Sequence, residues 1–181
     1  MLDNIMAHSI VVAKAAQLIS RNLRDAGSVI SMKKIVAGAL IHDIGKTSSL
    51  TSNMDHSEIG RQICLENHLD EIAQIVGEHV RLKGFDPNGD CTEKEIVFYA
   101  DKRVNHDKVV NLKERLEYIL GRYGKNREDI CNRIIKNFRL CAQVEKKLFN
   151  NISFSPEALS DLVKQEKIPY TQFFLKDIAH V

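Results

Sequence analysis

Apolar residues recur at spacings of three and four along most of this chain, and stretches that alternate apolar with polar residues are few. Side chains three and four apart share a face of an α-helix, so the pattern predicts an all-α fold. Helices are expected over residues 3–24, 32–44, 56–67, 70–81, 92–109, 111–123 and 126–149. Residues 25–28, 47–53 and 86–90 supply the Gly, Pro, Ser, Asn and Asp that interrupt helices. Ser155-Pro156-Glu157 has the form of a helix start, which predicts a short helix near 156–164. With 181 residues, 44% hydrophobic and 28% charged, the chain has the balance of one globular domain able to bury a real core. The expected organisation is a helical unit over 1–125 and a C-terminal helical extension and tail over 126–181, packed on the same domain. Pro169, Tyr170, Phe173, Phe174 and Leu175 suit an extended segment or a docking tail.

Titratable residues interrupt these apolar stripes. In the first helix His8 falls in line with Ile5, Val12, Ala15, Ala16, Ile19 and Leu23. The run 35–41 leads directly into His42 and Asp43. His56 aligns with Ile59, Gly60 and Ile63, His79 with Ile72, Ile75 and Val76, and Asp101 with Val97, Ala100 and Val104. An inward-facing carboxylate without a partner costs on the order of several kcal/mol, and a buried imidazole also needs its hydrogen bonds met. Four histidines and two aspartates aimed at one interior therefore call for a common partner, and a divalent cation satisfies them together. Imidazole nitrogen with carboxylate oxygen and no thiolate suits iron, manganese, cobalt, nickel or zinc better than calcium.

The order His8, then His42-Asp43, then Asp101 resembles the defining signature of the HD-domain superfamily of metal-dependent phosphohydrolases. The resemblance covers roughly residues 3–110. It is strongest in Leu40-Ile41-His42-Asp43-Ile44-Gly45-Lys46, and Val97-Phe98-Tyr99-Ala100-Asp101-Lys102 has the apolar-aromatic-Ala-Asp form of HDIG-type members. His56 and His79 lie between the HD pair and the last Asp, as in the binuclear subgroup, which includes HD-GYP phosphodiesterases and HD diadenosine tetraphosphatases. The chain has no Gly-Tyr-Pro triplet, which disfavours a cyclic dinucleotide phosphodiesterase. The resemblance implies a bundle of about five core helices. It also implies one ion held by His8, His42, Asp43 and Asp101, and a second held by Asp43 as bridge with His56 and His79. Two cations so bridged activate a water for in-line attack on phosphorus and absorb charge on the phosphoryl oxygens.

Asp43, Lys46 and Arg81 are the residues expected to act on substrate, with Lys46 and Arg81 binding phosphate and Lys102 and Arg103 behind them. The Ser/Thr-rich link 47–53 rims the expected site, as a lid or as a plain solvent loop. Asp55 reads as the cap of the helix that starts at His56. Glu78 reads as exposed, since it adjoins His79 and neighbours in sequence do not share a helix face. His68, His106 and His180 sit off the stripes and receive no role.

The balance of 26 Lys and Arg against 24 Asp and Glu demands no polyanionic partner and leaves nucleic acid neither suggested nor excluded. Cys64, Cys91, Cys131 and Cys141 form no C-x-x-C pair and read as reduced thiols of a cytoplasmic protein. Asp3 and His8 stand where a signal peptide would be basic and then apolar, and no apolar run approaches the ~18 residues of a membrane span. Three functions remain open: hydrolysis of a nucleotide or other small phosphoester, dioxygen activation by a di-iron form of the same cage, and nucleotide and metal binding without turnover.

Overall fold

The computed structural model describes residues 1–52, 54–125 and 127–168. The fold is all-α. Helices α1 (Asp3–Asp25), α2 (Met32–Ile41), the single turn α3 (Lys46–Ser49), α4 (His56–Glu66), α5 (Asp70–Glu78) and α6 (Glu93–Lys102) come first. Two short strands, β1 (Val104–Asn105) and β2 (Lys108–Val109), form an antiparallel hairpin, and α7 (Leu112–Tyr123), α8 (Glu128–Phe149) and α9 (Leu159–Gln165) follow. Among the described residues, no helix is long and apolar enough to cross a membrane.

Helix α6 is the axis of the core. Every residue from Glu95 to Lys102 is buried, with Ile96, Val97, Phe98, Tyr99 and Ala100 fully so. A helix apolar on all sides must be surrounded, and α1, α2, α5 and α8 pack against it. Its start is fixed by a capping box, with the Thr92 hydroxyl accepting from the Glu95 amide and the Glu95 carboxylate accepting from the Thr92 amide. Helix α8 adds Phe138, Cys141, Val144 and Leu148 to the same core.

Three expected helices end early. The helix expected over 32–44 stops at Ile41, where residues 42–45 turn the chain toward α4. The helix expected over 70–81 stops at Glu78. The helix expected over 92–109 stops at Lys102, because β-branched Val104 and the turn-forming Asn105-His106-Asp107 favour the hairpin. Conversely, Lys46–Ser49 is helical although it lies in the Ser/Thr-rich link. The short helix expected at 156–164 is present, as a 3-10 turn at Pro156–Ala158 running into α9. The expectation of a docking tail, and His180, fall outside the described residues. All four cysteines are free thiols.

Candidate metal centre

Two helices end on one point. His42 is the C-cap of α2 and His79 the C-cap of α5. The last turn of a helix leaves carbonyls without partners. Each imidazole takes one of them, His42 Nδ1 donating to the Ala39 carbonyl at 2.7 Å and His79 Nδ1 to the Val76 carbonyl at 2.6 Å. His8 on α1 repeats the arrangement across the fold, with Nδ1 donating to the carbonyl of His106 at 2.8 Å. A carbonyl oxygen only accepts, so a proton sits on Nδ1 in all three, and each ring in its neutral form presents its Nε2 lone pair.

Those lone pairs face carboxylates. His8 Nε2 lies 3.0 Å from Asp101 Oδ1, and His42 Nε2 lies 3.5 Å from Asp43 Oδ2 and 3.6 Å from Asp101 Oδ1. His79 Nε2 lies 3.5 Å from Asp43 Oδ1. His56, the first residue of α4, places Nε2 3.3 Å from Asp43 Oδ1 and 3.2 Å from His79 Nε2. His42 Nε2 is buried with no hydrogen-bond partner. Acceptor facing acceptor is unfavourable in a dry interior unless a cation stands between. Ligand atoms of His8, His42 and Asp43 lie within 4.8 Å of one another, as do those of Asp43, His56 and His79. Asp43 belongs to both groups. This donor set fits divalent metal, and the negative C-terminal ends of α2 and α5 favour a cation at the same point.

The electrostatics agree. Burial by itself raises the Asp43 carboxyl, but the neighbouring His42, then His56 and His79, then Lys46 outweigh it and hold the group far below the usual range. Burial likewise opposes ionisation of Asp101 and is outweighed by Lys102, then by His42 and His8. Burial pushes His42 down, yet Asp43 and then Asp101 overcome it and raise the imidazole above its ordinary value. A proton on His42 is thus the positive charge that the centre takes up when metal is withheld. Burial dominates at His79 and lowers it to about 4, which keeps that ring in the neutral, ligating form.

The turn after the HD pair explains Gly45. A Cβ there would stand 2.2 Å from the His56 carbonyl and 2.6 Å from the Gly60 amide, both backbone atoms that cannot step aside. Gly45 therefore lets the HD turn lie directly against the start of α4 and brings His56 to Asp43. Asp55 caps α4 as expected, its carboxylate accepting from the Ser57 amide at 3.0 Å.

The basic residues divide. Lys46 reaches the centre, its Nζ 2.7 Å from Asp43 Oδ2, and its side chain is partly exposed. Arg81 is the most open, with 70% of its side chain exposed and its guanidinium 4.0 Å from Asp55 Oδ2. It lines a groove against α8 of about 740 Å³ and not the cleft over the centre. Lys102 is no free cation for substrate: its buried ammonium binds Asp101 Oδ2 at 3.0 Å and the His79 carbonyl, and so couples two members of the cage. Arg103 is also turned away, its guanidinium donating to the Val110 carbonyl at 2.7 Å, Glu145 at 3.1 Å and the Pro156 carbonyl at 2.9 Å. Phosphate contacts from Lys102 and Arg103 are thereby corrected, because burial and prior partners consume both charges.

Glu78 is buried, contrary to the exposed position expected of it. Its carboxylate accepts from the Lys83 amide at 2.9 Å and from Lys94 Nζ at 3.1 Å, since the chain doubles back after α5 and folds over it. His106 also matters, through the backbone carbonyl that orients His8 and not through its ring. The helix expected over 111–123 is present as α7, but sequence reasoning gave it no part in the site. A cleft of about 250 Å³ over His8, Asp43 and Lys46 is walled by Arg115, Tyr118 and Arg122. Their spacings of three and four put them on one helix face, a signal present in the sequence.

The sequence matches the HD domain family over residues 5–105, a span that contains His8, His42, Asp43, His56, His79 and Asp101. A tRNA (cytidine(56)-2'-O)-methyltransferase of Picrophilus torridus is 32% identical over 151 residues, which is 74% of this chain and 40% of the relative. A ribonuclease Y of Treponema denticola is 31% identical over 127 residues, 65% of this chain and 23% of the relative. The chain thus spans less than half the length of either curated relative. No solved structure matches it. The family match covers more than half of the chain, and on that ground the chain belongs to the HD-domain family.

Proposed function

We propose that this protein is a metal-dependent phosphohydrolase acting on a nucleotide or other phosphoester, with His8, His42, Asp43, His56, His79 and Asp101 holding one or two divalent transition metals. The observation that carries this reading is the set of imidazole lone pairs turned on carboxylates, with His42 Nε2 buried and unpartnered among them. Metal bound there would supply Lewis acidity and lower the pKa of water, which is the chemistry phosphoester hydrolysis needs. The rest falls to the chain. Asp43 joins the two ligand groups, and the Nδ1 bonds to Ala39, Val76 and His106 fix the rings so that no reorganisation is needed at reaction. Lys46, partly exposed beside Asp43, is placed to meet a phosphoryl oxygen. Hydrolysis forms one bond from water oxygen to phosphorus and breaks the ester P–O bond, and the leaving oxygen takes up a proton.

We propose further that residues 1–125 form the hydrolytic unit and that the extension from 126 buttresses it through α8. The names of the two relatives both refer to RNA, and that of the ribonuclease supports RNA phosphodiesters as substrates beside mononucleotides.

The test is a screen of nucleoside phosphates, dinucleoside polyphosphates and short RNA with manganese, iron, cobalt, nickel and zinc supplied in turn, set against an Asp43→Ala control. Turnover lost by on the order of 10³-fold or more in the control is the expected result. Oxygen consumption by the reduced iron form without any phosphoester turnover would replace this reading with dioxygen chemistry.

A further inference from the structure

The cleft over the centre has one wall that the cage chemistry does not use. Arg115, Tyr118, Arg122 and Tyr123 from α7 stand across from Lys46, above His8 and Asp43. Arg122 donates only to phenols, Nη1 to Tyr118 Oη at 3.3 Å and Nε to Tyr123 Oη at 3.2 Å. Arg115 donates to Asn105 Oδ1 at 2.9 Å and stacks 5.6 Å from the Tyr118 ring centroid. Among the described residues, neither guanidinium has a carboxylate within 4.0 Å. Arg21, Arg61, Arg81, Arg103, Arg127 and Arg133 each have a carboxylate partner, and of the arginines without one among the described residues only Arg115 and Arg122 line the cleft over the centre. Two guanidiniums without carboxylate partners on the rim of this cleft are suited to an anion, because arginine forks match phosphate oxygens bidentately.

The wall is also tied to the cage. His106, whose carbonyl orients His8, holds a left-handed backbone with φ of 54° and sets its ring edge-on to Tyr118, with centroids 5.2 Å apart. Tyr118 and Tyr123 line the same cleft, each with a guanidinium 5.6 Å from its ring centroid, Arg115 at Tyr118 and Arg122 at Tyr123, and Tyr123 is half exposed. Aromatic faces beside arginines make a stacking platform for a nucleobase.

We propose that α7 is the substrate-recognition wall, with Arg115 and Arg122 binding a second phosphate and Tyr118 and Tyr123 stacking a base, so that the preferred ligand is a nucleotide bearing a phosphate beyond the scissile one. This rests on the phosphohydrolase reading of the cage. Such chemistry comes from a free nucleoside bisphosphate or from the phosphorylated end of a single-stranded oligonucleotide.

The experiment is calorimetric titration of metal-loaded and of chelated protein with AMP, adenosine 3′,5′-bisphosphate and a 5′-phosphorylated, phosphorothioate-linked tetra-adenylate that resists turnover. Wild type is expected to bind the bisphosphate about tenfold more tightly than AMP, the worth of one charge-assisted contact. Arg122→Ala, an exposed substitution, should abolish that preference, read as the ratio of bisphosphate to AMP affinity measured on the same variant. Tyr118→Leu should weaken both adenosine ligands about tenfold by loss of stacking. Tighter binding of the tetra-adenylate than of the bisphosphate identifies an oligonucleotide end, and equal binding identifies a free nucleotide. Equal affinity of wild type for AMP and bisphosphate, or a preference untouched by Arg122→Ala, overturns the proposal. An Arg122-dependent preference in a protein that hydrolyses no phosphoester would uphold the wall and remove the phosphohydrolase reading instead.

Discussion

Two buried polar clusters flank α6, and they are built on opposite principles. On the α8 side every charge is answered. Lys147 Nζ meets both oxygens of Glu95, at 2.9 and 3.0 Å, and donates to the carbonyls of Asp86 at 2.9 Å and Asp90 at 2.8 Å. Arg103 and Tyr99 close in the same way on Glu145, the Tyr99 hydroxyl at 2.6 Å. On the opposite side, between α1, α2, α4 and α5, imidazole Nε2 atoms face carboxylate oxygens, His8 to Asp101 at 3.0 Å, and His42 and His79 to Asp43 at 3.5 Å. A satisfied buried network holds a loop and a helix in place and has no use for a ligand. The second cluster still has imidazole nitrogens facing carboxylates after Lys46 and Lys102 have taken their bonds to Asp43 and Asp101, so a further cation stabilises it, and that asymmetry marks which of the two is the candidate site.

The sharpest way to break the comparison is to remove one cation from the closed cluster. Lys147→Met leaves Glu95 buried without its partner and frees the carbonyls of the 86–90 loop, so the expected cost is about 3–5 kcal/mol. That loss should be the same with metal and with chelator, measured as the urea midpoint. Asp43→Ala should behave in the opposite sense, erasing the difference between metal-loaded and chelated midpoints. If metal restored the Lys147→Met protein, the closed cluster would not be independent of the site.

The fold was largely legible, because helical periodicity reports burial on one face, and the cage residues could be found as polar interruptions of that periodicity. His8, His42, Asp43, His56, His79 and Asp101 do converge. Helix ends were less legible. His42 and His79 look like continuations of α2 and α5, yet both stand just past the last turn, where an orphan carbonyl is available to orient them. Charge partners were not legible at all. Lys102 is drawn inward by the His79 carbonyl at the end of α5, and Arg103 by Glu145 of α8 and the Pro156 carbonyl, all distant in sequence. The burial of Glu78 depends on the return of the chain at Lys83 in the same way.

A smaller perturbation sharpens the comparison inside the site. Gly45→Ala forces a methyl group against the His56 carbonyl, 2.2 Å from the ideal Cβ position, so α4 must retreat. Overpacking of this kind costs about 1–3 kcal/mol. The more telling effect is selective: His56 should leave the centre while His8, His42, Asp43 and Asp101 keep their places. Metal analysis should show one ion retained and one lost per chain. Full occupancy with an unchanged melting temperature would mean that the close approach of the HD turn to α4 does not set the second position.

The smallest expected effect is on pH, and it separates proton from metal as the cation the open cluster takes. His79 is lowered from 6.5 to about 4 by burial, so below pH 6.5 the unfolded chain binds a proton there that the folded chain refuses. Stability of the chelated protein should therefore fall as pH drops from 6.5 toward 4, by about 1 kcal/mol over the first unit. His42 is raised, so its contribution is fully present below 6.5 and is lost as pH rises through its folded value. The chelated protein should accordingly be most stable near pH 6.5, as read from urea midpoints across neutral pH. Metal must displace the proton from His42, so the stabilisation due to metal should grow as pH rises and the two curves should diverge on the alkaline side. Curves that stay parallel there would show that proton and metal do not compete for one place, and the acceptors around His42 would need another explanation.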